Sequence, residues 1–192
     1  MNHCIQVYTG DGKGKTTAAI GLAVRAVGAG MNVLFLQFMK SKYYSEQDVL
    51  EKMPGVTLKT LGKPCFIVKK GMLSDEEIAA WGDEIEVFEE GNPPQDYAAM
   101  MKAGVEEARE ALRSHAYDLI VLDEYNVAAF FGLISKEDTK SLLAEYTGQA
   151  ELVFTGRNAP QEILDAADLI TEMKEVRHYY HKGVEARKGI EC

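Results

Sequence analysis

The chain is 192 residues long, which fits one domain at roughly 150 residues per domain. Hydrophobic residues make up 46% and charged residues 27%, the balance of a globular protein with its own core, and no apolar run approaches the ~20 residues that a membrane-spanning helix needs. Thirty acidic residues against 21 basic ones leave a net charge of -9, which repels phosphate backbones and speaks against a nucleic-acid partner.

Elements alternate in the βαβ manner. Ile5–Thr9 reads as a short apolar strand, and Lys15–Val27 as a helix burying Ala19, Ile20, Ala23, Val24 and Val27, ended by Gly28 and Gly30. Val33–Phe38 is a nearly continuous apolar run, as expected for a strand covered on both faces. Ser45–Asp48 can cap a short helix, which Pro54-Gly55 stops before a strand at Val56–Leu61. Ser74-x-x-Glu77 is a capping box, and the helix it opens is expected to run towards Glu90. After Gly91-Asn92-Pro93-Pro94 come a long helix at Gln95–Ser114, a strand at Leu119–Leu122, and a helix opened by Ser135. A strand at Leu152–Phe154, a short helix at Pro160–Ala167 and a strand at Leu169–Met173 follow, and the tail from Arg177 looks irregular. Lys40–Tyr44 and Lys63–Val68 read as long loops with aromatic and aliphatic groups, suited to a lid or apolar pocket, or equally to plain core edges.

The fold class expected is α/β: three layers with a mostly parallel central sheet. Gly91–Pro94 is not taken as a domain boundary, because the two halves of the site described next lie on either side of it. Three cysteines (Cys4, Cys65, Cys192) are too few and scattered for a disulfide framework or zinc site, and Cys65 reads as a small buried hydrophobe. The first residues show no secretory signal, so a cytoplasmic location is expected.

Thr9-Gly10-Asp11-Gly12-Lys13-Gly14-Lys15-Thr16-Thr17 follows a strand and opens a helix. Gly10, Gly12 and Gly14 let the backbone curl so that N–H groups point at an anion, and the helix start adds partial positive charge. Lys15 can reach terminal phosphate oxygens, and the Thr16 hydroxyl can ligate Mg²⁺. Thr9 stands where the P-loop pattern has its first glycine, so the loop is a variant. A dinucleotide-binding loop is disfavoured, since Lys15-Thr16 fills the helix start and the second strand ends in Gln37-Phe38 instead of an acidic residue. The second half of the site is Leu119–Glu124 (LIVLDE), whose carboxylates Asp123 and Glu124 a parallel sheet would set beside the loop, to hold Mg²⁺ directly or through water. Thr155-Gly156-Arg157 lies just past a strand's C-terminal end, the edge where such folds bind ligands. His178-x-x-His181 reads as a surface or ribose-contacting pair, and Arg177, Lys182, Arg187 and Lys188 as a basic tail.

Thr9–Thr17 (TGDGKGKTT), Val121–Glu124 (VLDE), Thr155–Arg157 (TGR) and the tail blocks Lys174–His178 (KEVRH), Gly183-Val184 and Lys188–Glu191 (KGIE) together resemble the CobA (BtuR, CobO) type of ATP:corrinoid adenosyltransferase, over nearly the whole chain. The resemblance implies a RecA-like P-loop protein that transfers the 5′-deoxyadenosyl group of ATP to the cobalt of a reduced, cobalamin- or cobinamide-type corrinoid and releases triphosphate. It implies dependence on Mg²⁺ (or Mn²⁺), a homodimer, and electrons from a flavin or flavodoxin system. On this reading Thr9–Thr17, Arg157 and His178 bind ATP, with Lys13, Lys15 and Glu124 as the catalytic groups. Thr16, Asp123 and Glu124 hold the metal. Phe66, Val68, Tyr43 and Arg177 meet the corrinoid, Val68 standing where some members carry a second aromatic. The alternatives are a P-loop kinase or NTPase, against which stand the missing Asn-Lys-x-Asp motif and arginine-rich lid, and a non-catalytic nucleotide- and corrinoid-binding module.

Overall fold

The computed structural model describes residues 3–41 and 44–191. Six strands form one sheet, and every strand pair in it is parallel: β1 (Ile5–Thr9), β2 (Val33–Phe38), β3 (Val56–Leu61), β6 (Leu119–Asp123), β7 (Glu151–Thr155) and β8 (Leu169–Glu172). Their order is β3-β2-β6-β7-β1-β8. Parallel neighbours need crossover connections, and the helices that supply them cover both faces. That explains why β2 and β6 are apolar almost throughout: each is buried along its whole length. Residues before and after Gly91–Pro94 share this sheet, as the β2–β6 pairing Leu34↔Ile120 shows.

One face is packed by α1 (Lys15–Gly28) and α2 (Ser45–Leu50), through Ala19, Ala23, Ala26 and Leu50. The other carries α4 (Gln95–Ser114), α5 (Tyr125–Phe130), α6 (Lys136–Ala144) and α7 (Gln161–Ala166), with Tyr97, Met101, Leu112, Tyr125, Leu142 and Ile163 in its core. On α1 the buried stripe is Lys15, Ala19, Ala23 and Ala26, a spacing of four, four and three. Val24, expected inside, is 48% exposed, whereas Ile20 and Val27 are partly buried against the core.

Two further strands stand apart. β4 (Phe66–Lys69) pairs in parallel with β5 (Ile85–Phe88), and between them lies α3 (Asp75–Trp81). The Ser74 capping box forms as expected, with Ser74 Oγ accepting from the Glu77 N–H at 3.2 Å and the Glu77 carboxylate accepting from the Ser74 N–H at 2.8 Å. The helix stops at Trp81 and does not reach Glu90, because Gly82 takes a positive φ of 54° and the alternating Ile85-Glu86-Val87-Phe88 goes to pair with β4. The Lys63–Val68 stretch, read as a loop, is therefore partly strand. Among the described residues no helix is long and apolar enough to cross a membrane.

The curl after β1 depends on Gly10. Its φ is +92°, and a Cβ there would stand 2.6 Å from the Met173 carbonyl oxygen, just beyond β8. Gly10→Ala is expected to destabilise the chain by about 3 kcal/mol, from strain and overpacking together, and to abolish ATP binding. Urea unfolding and equilibrium dialysis with ATP measure the two effects; a variant within 1 kcal/mol of the parent that still binds ATP refutes this account.

Candidate active site

The C-terminal ends of β1, β2, β6 and β7 converge on one cavity of about 850 Å³, within the size range of small-molecule sites. Its floor is the loop Asp11–Lys15 and the first turn of α1, where Thr16 and Thr17 lie. The first helical N–H groups have no intrahelical partner, no acidic side chain occupies that turn, and Gly14 caps it without a side-chain bond, so the positive helix end is open to an anion. Thr9 and Gly10 stand behind the floor: the Thr9 carbonyl accepts from the Met173 N–H at 2.8 Å, and the Gly10 carbonyl accepts from Lys15. The Gly12 N–H, expected to face the anion, instead donates to the Met173 carbonyl at 2.6 Å.

Lys15 is buried, contrary to the exposed position its role suggests. Its ammonium donates to the Gly10 carbonyl at 2.7 Å and the Gly12 carbonyl at 2.8 Å. Burial, and then the nearby Arg157, lower its pKa from the usual lysine value. Arg157 lines the same cavity and donates to the Asp11 carbonyl at 3.1 Å. Val127, Phe130, Phe131, Met72 and Ile20 form an apolar rim to the same cavity; α5, which carries Val127 and Phe130, was not legible from the sequence.

Asp123 lies at the centre and is fully buried. Its Oδ1 accepts from Thr16 Oγ1 at 2.8 Å and Thr155 Oγ1 at 2.7 Å, and its Oδ2 from Lys40 Nζ at 2.9 Å and Gln37 Nε2 at 3.3 Å. With four donors in place Asp123 positions Thr16; it is not among the residues that line the cavity, and to ligate a metal its Oδ2 would have to exchange Lys40 for the ion. Glu124 does line the cavity. It adopts a left-handed φ of 59°, fixed by its N–H donating to Thr155 Oγ1 at 3.0 Å. Burial first, and then the charge of Asp123, raise its carboxyl pKa. Lys40 was missed as a site residue, because a lysine in a loop reads as solvated. Burial works to lower its pKa, but Asp123, Glu124 and Glu46 outweigh it and raise the net value.

Such a constellation could serve many nucleotide enzymes. A sequence model of the ATP:corrinoid adenosyltransferase BtuR/CobO/CobP family matches residues 1–192. The chain belongs to this adenosyltransferase family. It is 33% identical over 187 residues to the corrinoid adenosyltransferase CobA of Salmonella typhimurium, covering 97% of this chain and 84% of that protein. A corrinoid adenosyltransferase of Sinorhizobium is 32% identical, covering 97% and 79%, and that of Escherichia coli K12 is 30% identical, covering 97% and 84%.

Other expected residues of this family member fall in different places. Lys13 lines the cavity, but its ammonium is held by the tail: it donates to Glu191 Oε1 and to the Ile190 carbonyl, both at 2.9 Å, and to the Tyr179 hydroxyl at 3.1 Å. The tail thus engages the ammonium that was expected among the catalytic and ATP-binding groups. His178 lines the cavity with its ring against Tyr179, whereas His181 pairs with Glu175 at 2.9 Å, so the two histidines share no ligand. Phe66 is 54% exposed, stacked edge-on against Trp81, and Val68 is buried under the small sheet. Neither these two nor Arg177, which is exposed, line the cavity, and Tyr43 lies outside the described residues.

Glu191 gathers Arg187, Lys13 and Tyr179, whose donated hydrogen bonds hold its carboxyl far below the ordinary carboxylate range. A depressed carboxyl contributes above its ordinary pKa and loses that contribution only as pH falls through the depressed value, so the tail stays docked across the neutral range. Glu191→Gln is expected to release it, raising tryptic cleavage at Arg187 and Lys188 several-fold at neutral pH; an unchanged cleavage rate overturns this.

Proposed function

We propose that the chain, acting as one nucleotide-binding unit over residues 1–192, transfers the 5′-deoxyadenosyl group of ATP to the cobalt of a reduced corrinoid and releases triphosphate. The observation that carries this is a cavity that the cationic glycine-rich loop and an apolar rim line together, beside Glu124 and the Thr16–Asp123 hydrogen bond. The electron pair of cobalt(I) attacks C5′, the C5′–O bond breaks, and triphosphate departs with its electrons. The negative charge that grows on the leaving group is met by Lys15, Arg157 and the first amides of α1. No proton is transferred at the reacting carbon, so no general base is needed. The flat corrinoid is assigned to the rim of Met72, Val127, Phe130 and Phe131, which excludes water and aligns cobalt with C5′.

The residues fit a divalent cation. The Thr16 hydroxyl hydrogen is committed to Asp123, which leaves its lone pairs available, and Glu124 faces the same space. Among the described residues no three His, Cys, Asp or Glu converge, as befits a cation held partly by phosphate oxygens and water. Mg²⁺ or Mn²⁺ bound there would neutralise triphosphate charge. We assign as further parts of the reading a cytoplasmic location, a homodimer and a flavin or flavodoxin reductant, in keeping with the family resemblance.

The test is incubation with ATP, Mg²⁺ and chemically reduced cobalamin. The visible spectrum should turn to that of the alkylated corrinoid as one triphosphate appears per product. ADP and phosphate in place of triphosphate, or no cobalt–carbon bond, sinks the reading.

A further inference from the structure

Lys40 is a buried cation set among oxygens that suit another cation. The chain leaves β2 at Phe38, Met39 takes a left-handed φ of 58°, and the next residue turns back under the cavity. Gly62, just past β3, holds that backbone in place: a Cβ on Gly62 would stand 2.4 Å from the Lys40 carbonyl carbon, so the close approach requires glycine. The ammonium then meets Asp123 Oδ2 at 2.9 Å, Thr16 Oγ1 at 3.3 Å and Glu46 Oε1 at 3.7 Å, with the Tyr44 ring centroid 5.0 Å away. Two carboxylates and a hydroxyl are the donor types a hard divalent cation takes. Thr16 offers its lone pairs to Lys40, since its hydrogen is given to Asp123 at 2.8 Å.

We propose that the Lys40 ammonium is the resident cation of this centre and competes with the divalent cation for Thr16 Oγ1 and Asp123 Oδ2. When the divalent ion binds, Lys40 withdraws onto Glu46 and the Tyr44 face, which remain its partners. Lys40 thereby keeps the buried Asp123 compensated before the cation arrives, and it sets how tightly the cation is held afterwards. This rests on the cation assignment in the proposed function and on no other part of it.

The test follows the Lys40 ammonium ¹⁵N resonance in uniformly labelled protein, assigned by its loss in Lys40→Arg. With ATP and EDTA the signal should stay in place, and with ATP and Mg²⁺ it should shift or exchange away. A signal that ignores Mg²⁺ overturns the proposal, and so does one that already moves with ATP alone, because phosphate would then be the partner. In parallel, Mn²⁺ affinity in the presence of ATP is read by electron paramagnetic resonance. Lys40→Met should bind Mn²⁺ at least about tenfold more tightly than the parent, and Lys40→Arg, which keeps the charge, should not. Unchanged or weaker binding by the methionine variant counts against the proposal. Should that variant fail to fold by circular dichroism, the resonance in the parent protein decides. Adenosyl transfer is assayed separately: transfer with an Mg²⁺-indifferent Lys40 refutes only the competition, and an Mg²⁺-responsive Lys40 without transfer refutes only the functional reading.

Discussion

Lys15→Ala is expected to lower the rate of adenosyl transfer about 100- to 1000-fold, the cost of removing one preorganised donor from a site of developing charge. The ammonium is held by the Gly10 and Gly12 carbonyls at 2.7 and 2.8 Å, at the floor on which the triphosphate is proposed to rest. Its loss should cost about 1–2 kcal/mol of stability for two hydrogen bonds, so the variant remains folded. The loss should fall on kcat and kcat/KM together, because the leaving group is most charged in the transition state. Lys15→Arg should also be slow, since a planar fork cannot fit between two carbonyls that grip a compact ammonium. Steady-state kinetics with varied ATP checks both variants; turnover of Lys15→Ala within twofold of the parent would remove the loop from the mechanism.

Asp123→Asn carries the largest expected stability effect. Asparagine keeps an oxygen to accept from Thr16 and Thr155, but it turns an amide towards the Lys40 ammonium and the Gln37 amide, donor against donor. A buried positive charge is thereby stripped of its main partner, which costs about 3–5 kcal/mol and lowers Tm by about 10 °C. Urea unfolding of the two single variants and the Asp123→Asn/Lys40→Met pair closes a cycle. The double variant should be less destabilised than the sum of the singles, because each removal spares the other residue its uncompensated charge. Additive losses, or an Asp123→Asn within 1 kcal/mol of the parent, would mean the pair is not the electrostatic unit described.

The sheet was legible because its strands are short apolar runs with glycine, proline or capping residues on either side. Val33–Phe38 and Val56–Leu61 have the expected bounds, and Leu119–Leu122 gained only Asp123. The missed elements had no such contrast. β4 and β5 are four residues each and partly exposed, so β4 was read as part of the Lys63–Val68 loop, and the Ser74 capping box drew the helix reading through β5. The loop, Asp123, Glu124 and Arg157 were placed together correctly because each stands at a strand's C-terminal end. What one-dimensional reasoning could not supply was who neutralises whom: the tail over Lys13, and the burial of Lys40, depend on residues 178 and 83 positions away.

The parallel arrangement also dictates when the loop takes shape. β1 has β7 and β8 as its neighbours, at registers such as Gln6↔Val153 and Val7↔Ile170, and the Gly12 amide rests on Met173. The glycine-rich loop therefore precedes in the chain the strands that shape it, and its conformation waits for partners more than 140 residues further on. A nascent chain released before β8 would carry the whole glycine-rich motif with nothing to lean on. Nucleotide affinity is thus a property of the finished polypeptide, and ATP added during refolding should act late, on an almost completed sheet.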